Sequence, residues 1–508
     1  MNAENISDLL FLQAAEWPEQ SAILHRGRRI TFLELQERTL HRAARLAEKG
    51  VVAGDRVLIF VPMSIELYEI LMAVFHLGAS AVFLDAWADP QRLEYAMELA
   101  DCKAFIGIPK SFLLLLKSRH MRRIPVKLFP GFNSSKRHSE SSPSRPDTPA
   151  LITFTTGSTG VPKAALRTHG FLLEQHRVLQ EELALPPGSC DLTTLPIFVL
   201  NNLACGVTSL IPDFDPRTPG KINGRKILQE AIDCGATSTT GSPAFYAPLA
   251  EAASTASAAI PFRRLFTGGA PVYPDFAGKL CRAFPQCRIF ALYGSTEAEP
   301  ISRIAAEELI AEGCNMEHGL PVGTVSSQLE LVLLPFGAEI PYECPSEQWN
   351  RMLCPPGEPG EVCVSGGHVL KQYYRNPEAV KANKIKVGDK VFHRTGDAGK
   401  LSPDGRLYLL GRVKNVFRTN DGSWCFSMPV ENMLQQIPGI TCGTILPVPG
   451  QGVVLFLECT STEQEKVTAQ IRALGIRFDK LQFLPHLPRD PRHNSKIDYD
   501  ALKKQYGS

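Results

Sequence analysis

Short apolar segments alternate with longer amphipathic segments in the first quarter of the chain. DRVLIFVP (55–62) predicts a buried strand, SIELYEILMAVFHLGA (64–79) has the periodicity of a helix, and SAVFLD (80–85) predicts the next strand. PQRLEYAMELADC and KAFIGIP repeat the order of helix and strand. Because strands separated by helices of this length pair in parallel, we expect an α/β fold built on parallel sheets.

Composition narrows the classes of function. The 508 residues, 44% hydrophobic and 21% charged, are typical of a globular protein. A net charge of +2 argues against nucleic acid as a partner. Thirteen cysteines without a C-x-x-C pair predict reduced thiols in the cytoplasm rather than disulfides or a metal site. The first twenty residues lack the apolar core of a signal peptide.

Two segments bear on membrane contact. LPIFVLNNLACGVTSLIP (195–212) is strongly apolar, but Pro196, Asn201 and Asn202 interrupt it, so we expect buried core or a pocket wall and no transmembrane segment. KSRHMRRIPVK (117–127) is basic, and we expect it on a solvated surface. Peripheral contact with a membrane stays open.

A loop rich in glycine and hydroxyl groups follows the predicted strand LITFTT (151–156), after a Ser-, Pro- and Arg-rich connection. Glycines let backbone amides face an anion, hydroxyls donate hydrogen bonds, and a lysine adds positive charge. The spacing is not that of a Walker A loop, and a plain turn is the alternative. The predicted phosphate-binding residues are Thr155, Thr156, Gly157, Ser158, Thr159, Gly160 and Lys163.

A second stretch, ALYGSTEAEP (291–300), combines an aromatic ring, hydroxyls and a carboxylate. Tyr293 can lie against a nucleotide base, Thr296 can bond a phosphate, and Glu297 can bind a hard cation such as Mg²⁺. A core tyrosine and a helix-capping threonine are the ordinary alternatives for the first two. The stretch therefore favours a nucleotide site without establishing one.

Two further stretches add charged side chains. In HRTGDAGKLSPDGRLYLLGRVKN (393–415), Asp397 can accept hydrogen bonds from ribose hydroxyls, and Arg412 can reach the sugar or a phosphate. The same stretch predicts a hairpin with an Asp-Gly turn. RHNSKIDYDAL (492–502) offers Lys496 on a loop. A turn aspartate and a solvated lysine are the alternatives here.

Taken in order, five motifs resemble those of the adenylate-forming superfamily of acyl- and aryl-CoA synthetases, luciferases and peptide-synthetase adenylation domains. They are TFTTGSTGVPKAALRTH, YGSTEAEP, RTGD, GRVKN and NSKID. The resemblance implies a large α/β domain with some β-barrel character, residues 1–411, that binds the acid and ATP. It also implies a small, mobile α+β lid domain, residues 412–508, with its hinge near Lys414.

The resemblance also implies roles for single residues. The glycine-rich loop would cover the β- and γ-phosphates of ATP, Tyr293 would stack on adenine, and Thr296 would contact the α-phosphate. Glu297 would ligate Mg²⁺, and Lys496 would bridge the carboxylate and the α-phosphate. Asp397 would hold the ribose with Arg412 nearby. The adenine wall would consist of Gly268, Gly269, Ala270 and Pro271, followed by Gly294 beside the base.

Three stretches are similar to one branch, the β-lactone synthetases of bacterial long-chain olefin biosynthesis. They are LPIFVLNNLACGVTSLIPDFDP (195–216), YGSTEAEPIS and PRDPRHNSKIDYDAL. This similarity implies a β-hydroxy fatty acid as substrate, a lactone closed by its own hydroxyl, and other enzymes of a hydrocarbon pathway as partners.

The lid segment VFRTNDGSWCFSMPVEN departs from the common acyl-CoA pattern by moving the glycine to Gly422 and the proline to Pro429. In thioester-forming members this segment builds the thiol tunnel, so the change favours the lactone, although loop drift explains it equally well. A thioester-forming ligase and a non-catalytic nucleotide-binding protein remain the alternatives.

An apolar acyl pocket is predicted from two segments, LPIFVLNNLACGV and TGSPAFYAPL. Apolar and aromatic walls suit a fatty chain better than a polar amino acid. The same residues would also serve as plain core. The predicted pocket residues are Phe198, Val199, Leu200, Phe245 and Tyr246.

Overall fold

The computed structural model describes residues 3–84, 90–142, 144–156, 162–256, 258–419, 421–459, 464–489 and 497–506. At residues 155, 156 and 162 the structure describes the backbone but not the side chains. Within the described chain, no helix is both long and apolar enough to cross a membrane.

The first part of the chain forms a six-stranded sheet and begins a larger one. Its elements are α1 (Ile6–Glu16), β1 (Ser21–His25), β2 (Arg28–Thr31), α2 (Phe32–Glu48), β3 (Arg56–Phe60), α3 (Ile65–His76), β4 (Ser80–Phe83), α4 (Pro90–Ala100), β5 (Ala104–Gly107), a 3₁₀ helix (Pro109–Leu116), α5 (Arg119–Arg123), β6 (Val126–Leu128), β7 (Pro149–Thr156) and β8 (Pro162–Thr168). The six-stranded sheet has the order β6-β5-β3-β4-β7-β8 and is parallel except for the β7–β8 pair. The predicted strands and helices of residues 55–107 are confirmed.

Helices cover both faces of this sheet, which explains its uninterrupted apolar strands. Val57 and Ile59 pack in the same core as α3, whereas Leu58 packs with Leu93 and Met97 of α4. Side chains alternate between the two faces of a strand, so a strand buried on both sides needs consecutive apolar residues. The sequence of β3, RVLIF, meets this requirement.

The middle of the chain builds the parallel half of a fourteen-stranded sheet. Its elements are α6 (His169–Leu183), β9 (Cys190–Thr193), α7 (Pro196–Cys205), β10 (Thr208–Ile211), a 3₁₀ helix (Pro219–Lys221), α8 (Gly224–Asp233), β11 (Ser238–Gly241), α9 (Pro243–Ser254), β12 (Arg264–Gly268), α10 (Pro274–Ala283), β13 (Arg288–Ser295) and β14 (Ala298–Ala305). Strands β1, β10, β9, β11, β12 and β13 pair in parallel in that order. Their carboxyl ends therefore share one edge, the usual position of ligand sites in open α/β sheets.

The same sheet continues with antiparallel strands. The next elements are α11 (Ala306–Glu312), β15 (Leu320–Val325), β16 (Leu329–Leu334), α12 (Ser346–Met352), β17 (Gly360–Gly366), α13 (Pro377–Asn383), β18 (Lys384–Val387), β19 (Lys390–Leu401) and β20 (Arg406–Arg412). The order from β13 is β14-β15-β20-β19-β17-β16, with β18 paired to β19. The predicted hairpin with its Asp-Gly turn is the β19–β20 pair, and Gly405 in that turn has φ of +80°.

A smaller C-terminal domain follows β20. Its elements are a 3₁₀ helix (Val413–Asn415), β21 (Phe417–Arg418), β22 (Trp424–Cys425), α14 (Ser427–Gln435), β23 (Ile440–Val448), β24 (Gly452–Cys459), α15 (Gln464–Ala473), β25 (Lys480–Leu484) and α16 (Tyr499–Tyr506). Leu455 and Leu457 of β24 pack with α14 and α15, whereas Val454 and Phe456 pack with Leu502 of α16. The domain thus has its own α+β core, as the sequence predicts.

Candidate active site

Backbone contact at the carboxyl ends of β12 and β13 shapes one side of the candidate site. Gly268 pairs with Leu292 across these strands, and a Cβ atom on Gly268 would lie 2.7 Å from the Leu292 carbonyl oxygen. Gly269 follows with φ of +79°, a conformation that favours glycine. Backbone contact at Gly268 and backbone conformation at Gly269 therefore both favour glycine. The two residues present no side chain to the space beside Tyr293.

A small cavity opens at this edge. Its lining includes Gly268, Gly269, Tyr293 and Gly294 from the predicted adenine site and Phe198 from the predicted acyl pocket. The cavity thus brings two sequence predictions together. Ala270 and Pro271 continue the loop toward α10 and lie outside its lining.

Tyr293 is hydrogen-bonded to Asp397, one of the predicted ribose-binding residues. Its hydroxyl donates to Oδ2 of Asp397 at 2.7 Å, and an Arg412 guanidinium nitrogen lies 3.1 Å from Oδ1 of the same carboxylate. Burial and the neighbouring Asp397 carboxylate raise the pKa of Tyr293 well above its ordinary value, while Asp397 raises that of Arg412. Asp397 and Arg412 stand opposite each other in the β19–β20 register, which fixes the pair.

Glu297 lies in the turn after β13, beside a cluster of positive groups. The Tyr373 hydroxyl donates to its Oε1 at 3.0 Å. Burial favours the neutral acid, but the charges of His393 and Lys384 and the tyrosine hydrogen bond outweigh it, so the pKa of Glu297 is lowered. The carboxylate is therefore ionised at neutral pH.

Lys163 reaches the same cluster from β8. Its Nζ donates to Oδ1 of Asn383 at 2.9 Å and lies 5.8 Å from the centre of the Tyr373 ring. Burial lowers the pKa of Lys163, and the Glu297 carboxylate opposes that shift. The lysine of the predicted phosphate loop is thus electrostatically coupled to the predicted metal ligand.

Two members of this cluster were not predicted. Lys384 is fully buried, and within the described chain its Nζ has no hydrogen-bond partner; it lies 5.3 Å from the centre of the Tyr373 ring. Burial lowers the pKa of Lys384 to about 7 and, with the Lys384 charge, that of His393 to about 3. A lysine in the short polar sequence KIKV gives no local signal that it points inward.

A buried arginine supports the turn that carries Thr296 and Glu297. Arg167 donates to the Thr296 carbonyl oxygen at 2.8 Å and to Oγ1 of Thr153 at 3.1 Å, and its Nε has no partner among the described residues. Glu299 follows on strand β14 and lines the small cavity. Burial raises the pKa of Glu299, with Arg167 opposing.

The other predicted acyl residues are buried and do not line this cavity. Val199 and Leu200 lie on α7 and are buried in the core shared with α3. Phe245 and Tyr246 lie on α9 behind Gly241, where a Cβ atom would meet them at 3.2 and 3.3 Å. Their contact with an acyl chain stays a prediction.

The remaining predicted residues concern the loops and the hinge. Lys414 lies in the 3₁₀ turn after β20, and its Nζ donates to both carboxylate oxygens of Asp500, at 2.9 and 2.7 Å. Thr155 and Thr156 end strand β7, where the description covers the backbone. Gly157, Ser158, Thr159, Gly160 and Lys496 lie outside the described residues.

Known proteins are similar to this chain in sequence and in fold. The model of the AMP-binding enzyme family matches residues 10–374. An olefin beta-lactone synthetase of Xanthomonas campestris pv. campestris is 31% identical over 98% of this chain and 96% of that protein. An olefin beta-lactone synthetase of Stenotrophomonas maltophilia is 28% identical over 98% of this chain and 97% of that protein.

A solved structure has the same fold over nearly the whole length. O-succinylbenzoate coenzyme A synthetase from Bacillus subtilis, in complex with ATP and magnesium, matches with a TM-score of 0.80 and 21% identity, covering 97% of this chain and 99% of that chain. At this identity the match concerns the fold. The family match over residues 10–374 and the 31% identical relative show that the chain belongs to the AMP-binding enzyme family and is an AMP-forming ligase that uses ATP.

Proposed function

We propose that the enzyme activates a long-chain β-hydroxy fatty acid with ATP and closes the resulting acyl-adenylate to a β-lactone, releasing pyrophosphate and then AMP. The observation that carries the adenylation step is that four predicted residues, which come from both sheets, form two neighbouring groups. The Tyr293 hydroxyl donates a hydrogen bond to Asp397. Glu297, four residues after Tyr293 in the chain, accepts a hydrogen bond from Tyr373, whose ring lies near Lys163.

The nucleotide fits this arrangement. Adenine would lie between the Tyr293 ring and the backbone of Gly268 and Gly269, since a side chain on Gly268 would collide with Leu292 and the positive φ of Gly269 disfavours one there. Asp397 would accept hydrogen bonds from the ribose hydroxyls, with Arg412 holding the carboxylate in place. The phosphates would then point toward Lys163, because it lies in the Glu297 cluster.

Glu297 is suited to hold Mg²⁺, because proteins usually bind this ion through one or two carboxylates together with the phosphates of the substrate. The described residues contain no group of three or more His, Cys, Asp or Glu side chains able to hold a metal without such phosphates. The bound ion would offset phosphate charge as the acid attacks. Tyr373 occupies Oε1 of Glu297 and so orients the carboxylate.

In the first half-reaction an oxygen of the substrate carboxylate attacks the α-phosphorus, and the bond to the pyrophosphate oxygen breaks. Lys496 would neutralise the two anions as they meet, a type of contact worth about 10²–10³ in rate. We place Lys496 on a C-terminal domain that moves as a lid after about residue 411, turning near Lys414. Closure would exclude water from the adenylate.

In the second half-reaction the β-hydroxyl oxygen attacks the acyl carbon, the bond from that carbon to the AMP phosphate oxygen breaks, and the hydroxyl proton leaves to solvent. An oriented intramolecular attack of this kind reaches effective molarities of about 10⁵–10⁸ M. Similarity to two olefin beta-lactone synthetases along the whole chain supports this route. Glu299 supports a hydroxylated substrate, since this residue lines the same cavity as Phe198 and a carboxyl oxygen can accept a hydrogen bond.

The competing function is a ligase that passes the acyl group to coenzyme A or to a carrier thiol. The shared fold with a coenzyme A synthetase favours it as the second candidate. Products formed from ATP, Mg²⁺ and a 3-hydroxy fatty acid, with and without coenzyme A, separate the two. Lactone without added thiol is the expected result, and product only in the presence of coenzyme A would select the thioester ligase.

The reduced cysteines predict a cytoplasmic enzyme. The expected partners are the fatty acid substrate and other enzymes of a hydrocarbon pathway, which would supply the β-hydroxy acid and consume the lactone. Copurification of this chain with such enzymes from a native extract tests that expectation.

A further inference from the structure

The segment of residues 109–129 is rich in positive charge. It contains six Lys or Arg residues and neither Asp nor Glu, whereas the whole chain has a net charge of +2. Lys110, Lys117, Arg122 and Arg123 are exposed, and although the charge of Lys110 acts on Asp215, none of the four forms an ion pair among the residues that the structure describes. These charges are therefore available to an anionic surface outside the protein.

The same segment exposes large apolar side chains. Among those that the structure describes, Leu116 is the most exposed at 75%, and Leu113 and Phe129 are 60% and 55% exposed. Exposed apolar groups bordered by polar residues are typical of interaction sites. The Phe129 ring is held 4.5 Å from that of Phe112, so it projects from a packed base rather than from a loose loop.

The position of the segment relates it to the active site. Its 3₁₀ helix directly follows β5, which belongs to the parallel set β5-β3-β4-β7. The carboxyl ends of these strands share one edge, and β7 leads from that edge into the predicted phosphate loop. The segment begins and ends at that edge, because Pro109 follows β5 and Phe129 follows β6, which pairs in parallel with β5, whereas Arg122 and Arg123 precede the amino end of β6.

We propose that the 109–129 segment docks the enzyme onto the surface of an anionic lipid bilayer. Leu113, Leu116 and Phe129 would enter the boundary between headgroups and acyl chains, and the surrounding Lys and Arg side chains would contact lipid phosphates. A protein that binds only nucleic acid has no use for three large, exposed apolar groups in the same segment as its basic residues. A fatty acid partitions into bilayers, so docking at this side would shorten its path to the site; this last point rests on the proposed function, but the docking does not.

Vesicle flotation of the full chain tests the proposal. The enzyme is expected to float with vesicles of phosphatidylcholine containing 30% phosphatidylglycerol in 0.1 M salt, about tenfold more than with phosphatidylcholine alone, as the screened charge contacts require. The Leu113→Ser/Leu116→Ser variant should lose this binding. Arg122→Ser/Arg123→Ser should weaken it at least fivefold.

Matched controls use exposed residues elsewhere. Val52→Ser, at a position 62% exposed, and Arg225→Ser/Lys226→Ser on α8 should float like the wild type. Unchanged thermal unfolding shows that every variant is folded. Absence of wild-type flotation, flotation that the 109–129 variants leave unchanged, or retention of a single-stranded RNA but no vesicle would overturn the proposal. Pyrophosphate exchange with a soluble short-chain acid reports separately on the proposed function.

Discussion

The Tyr293 hydroxyl donates a 2.7 Å hydrogen bond to Asp397, a residue 104 positions later in the chain. The bond ties the end of a parallel strand to the middle of an antiparallel one. It places the ring expected to hold adenine next to the carboxylate expected to hold ribose, just as base and sugar are adjacent in one nucleoside. The first prediction follows from this pair.

Asp397→Ala should weaken ATP binding about 10²-fold, because it removes a charged acceptor of hydrogen bonds and leaves Arg412 without its partner. Isothermal titration with ATP measures the change. Asp404→Ala, in the exposed turn of the same hairpin, is the control and should bind ATP normally. Equal affinity in the two variants would remove Asp397 from the ribose site.

Glu297→Gln should lower the rate of pyrophosphate exchange about 10²–10³-fold, since the amide cannot balance the charge that develops at the phosphates. The Mg²⁺ concentration giving half-maximal rate should rise in parallel. Glu307→Gln on the exposed side of α11 supplies the control. A Glu297→Gln enzyme with an unaltered Mg²⁺ dependence would exclude this side chain as a ligand.

Lys384→Met should raise the melting temperature, and most strongly at low pH. Burial lowers the pKa of Lys384 to about 7 from 10.5. Between these values the unfolded chain holds a proton that the folded chain has released, so stability from this group rises with pH across the window. Below pH 7 the folded protein bears the full cost of a buried charge, which methionine removes.

Scanning calorimetry at pH 6, 7.5 and 9 tests this sign. The melting temperature of Lys384→Met minus that of the wild type should be largest at pH 6 and should shrink toward pH 9. Lys386→Met, two residues later and exposed on the same strand, should show no such trend. A difference independent of pH would mean that Lys384 keeps its proton throughout.

Glu299→Leu should reduce the preference for a 3-hydroxy fatty acid over the unsubstituted acid of equal length by at least tenfold. A site that accepts a hydrogen bond from a substrate hydroxyl discriminates strongly against the analogue that lacks it. The ratio of kcat/KM values in pyrophosphate exchange is the measurement, and it does not depend on lactone closure. Glu299→Gln, which retains an acceptor oxygen, should keep part of the preference; an unaltered ratio in both variants would dismiss the role.

Lys496→Ala should abolish adenylation while the melting temperature stays within 2 °C or so of the wild type, about the effect of a surface substitution. The expected loss is about 10²–10³-fold or more, measured as pyrophosphate exchange. Hydrolysis or transfer from a chemically prepared acyl-adenylate should be affected less. Normal exchange in this variant would refute the assignment.

Local patterns predict the elements that are buried on both sides. The strand RVLIF and the helix that follows it need no distant partner to be identified, because consecutive apolar residues admit few other structures. The Asp-Gly turn likewise predicts the β19–β20 hairpin and so the facing positions of Asp397 and Arg412. Residue types in motif order were sufficient for these parts of the site.

Long-range pairing decided the rest. Strand β15 pairs with β20 more than 80 residues away, and no local sequence specifies that choice. Lys384 and Lys386 are equally polar and lie on the same face of β18, yet the first is buried beside Tyr373 and the second is exposed, because other parts of the chain cover only the first. The buried lysine and His393 therefore escaped prediction, although both act to lower the pKa of Glu297 against its burial.

Strand register also constrains how the two domains can move. Arg412 is the last residue of β20 and is held opposite Asp397, while Lys414 already belongs to the following turn. A rotation that begins at Lys414 would leave the arginine–aspartate pair where it is. The C-terminal domain could then change the surroundings of the acyl-adenylate between the two chemical steps while Asp397 and Arg412 keep their contact with the same ribose. The reactive intermediate would not have to be released between the steps.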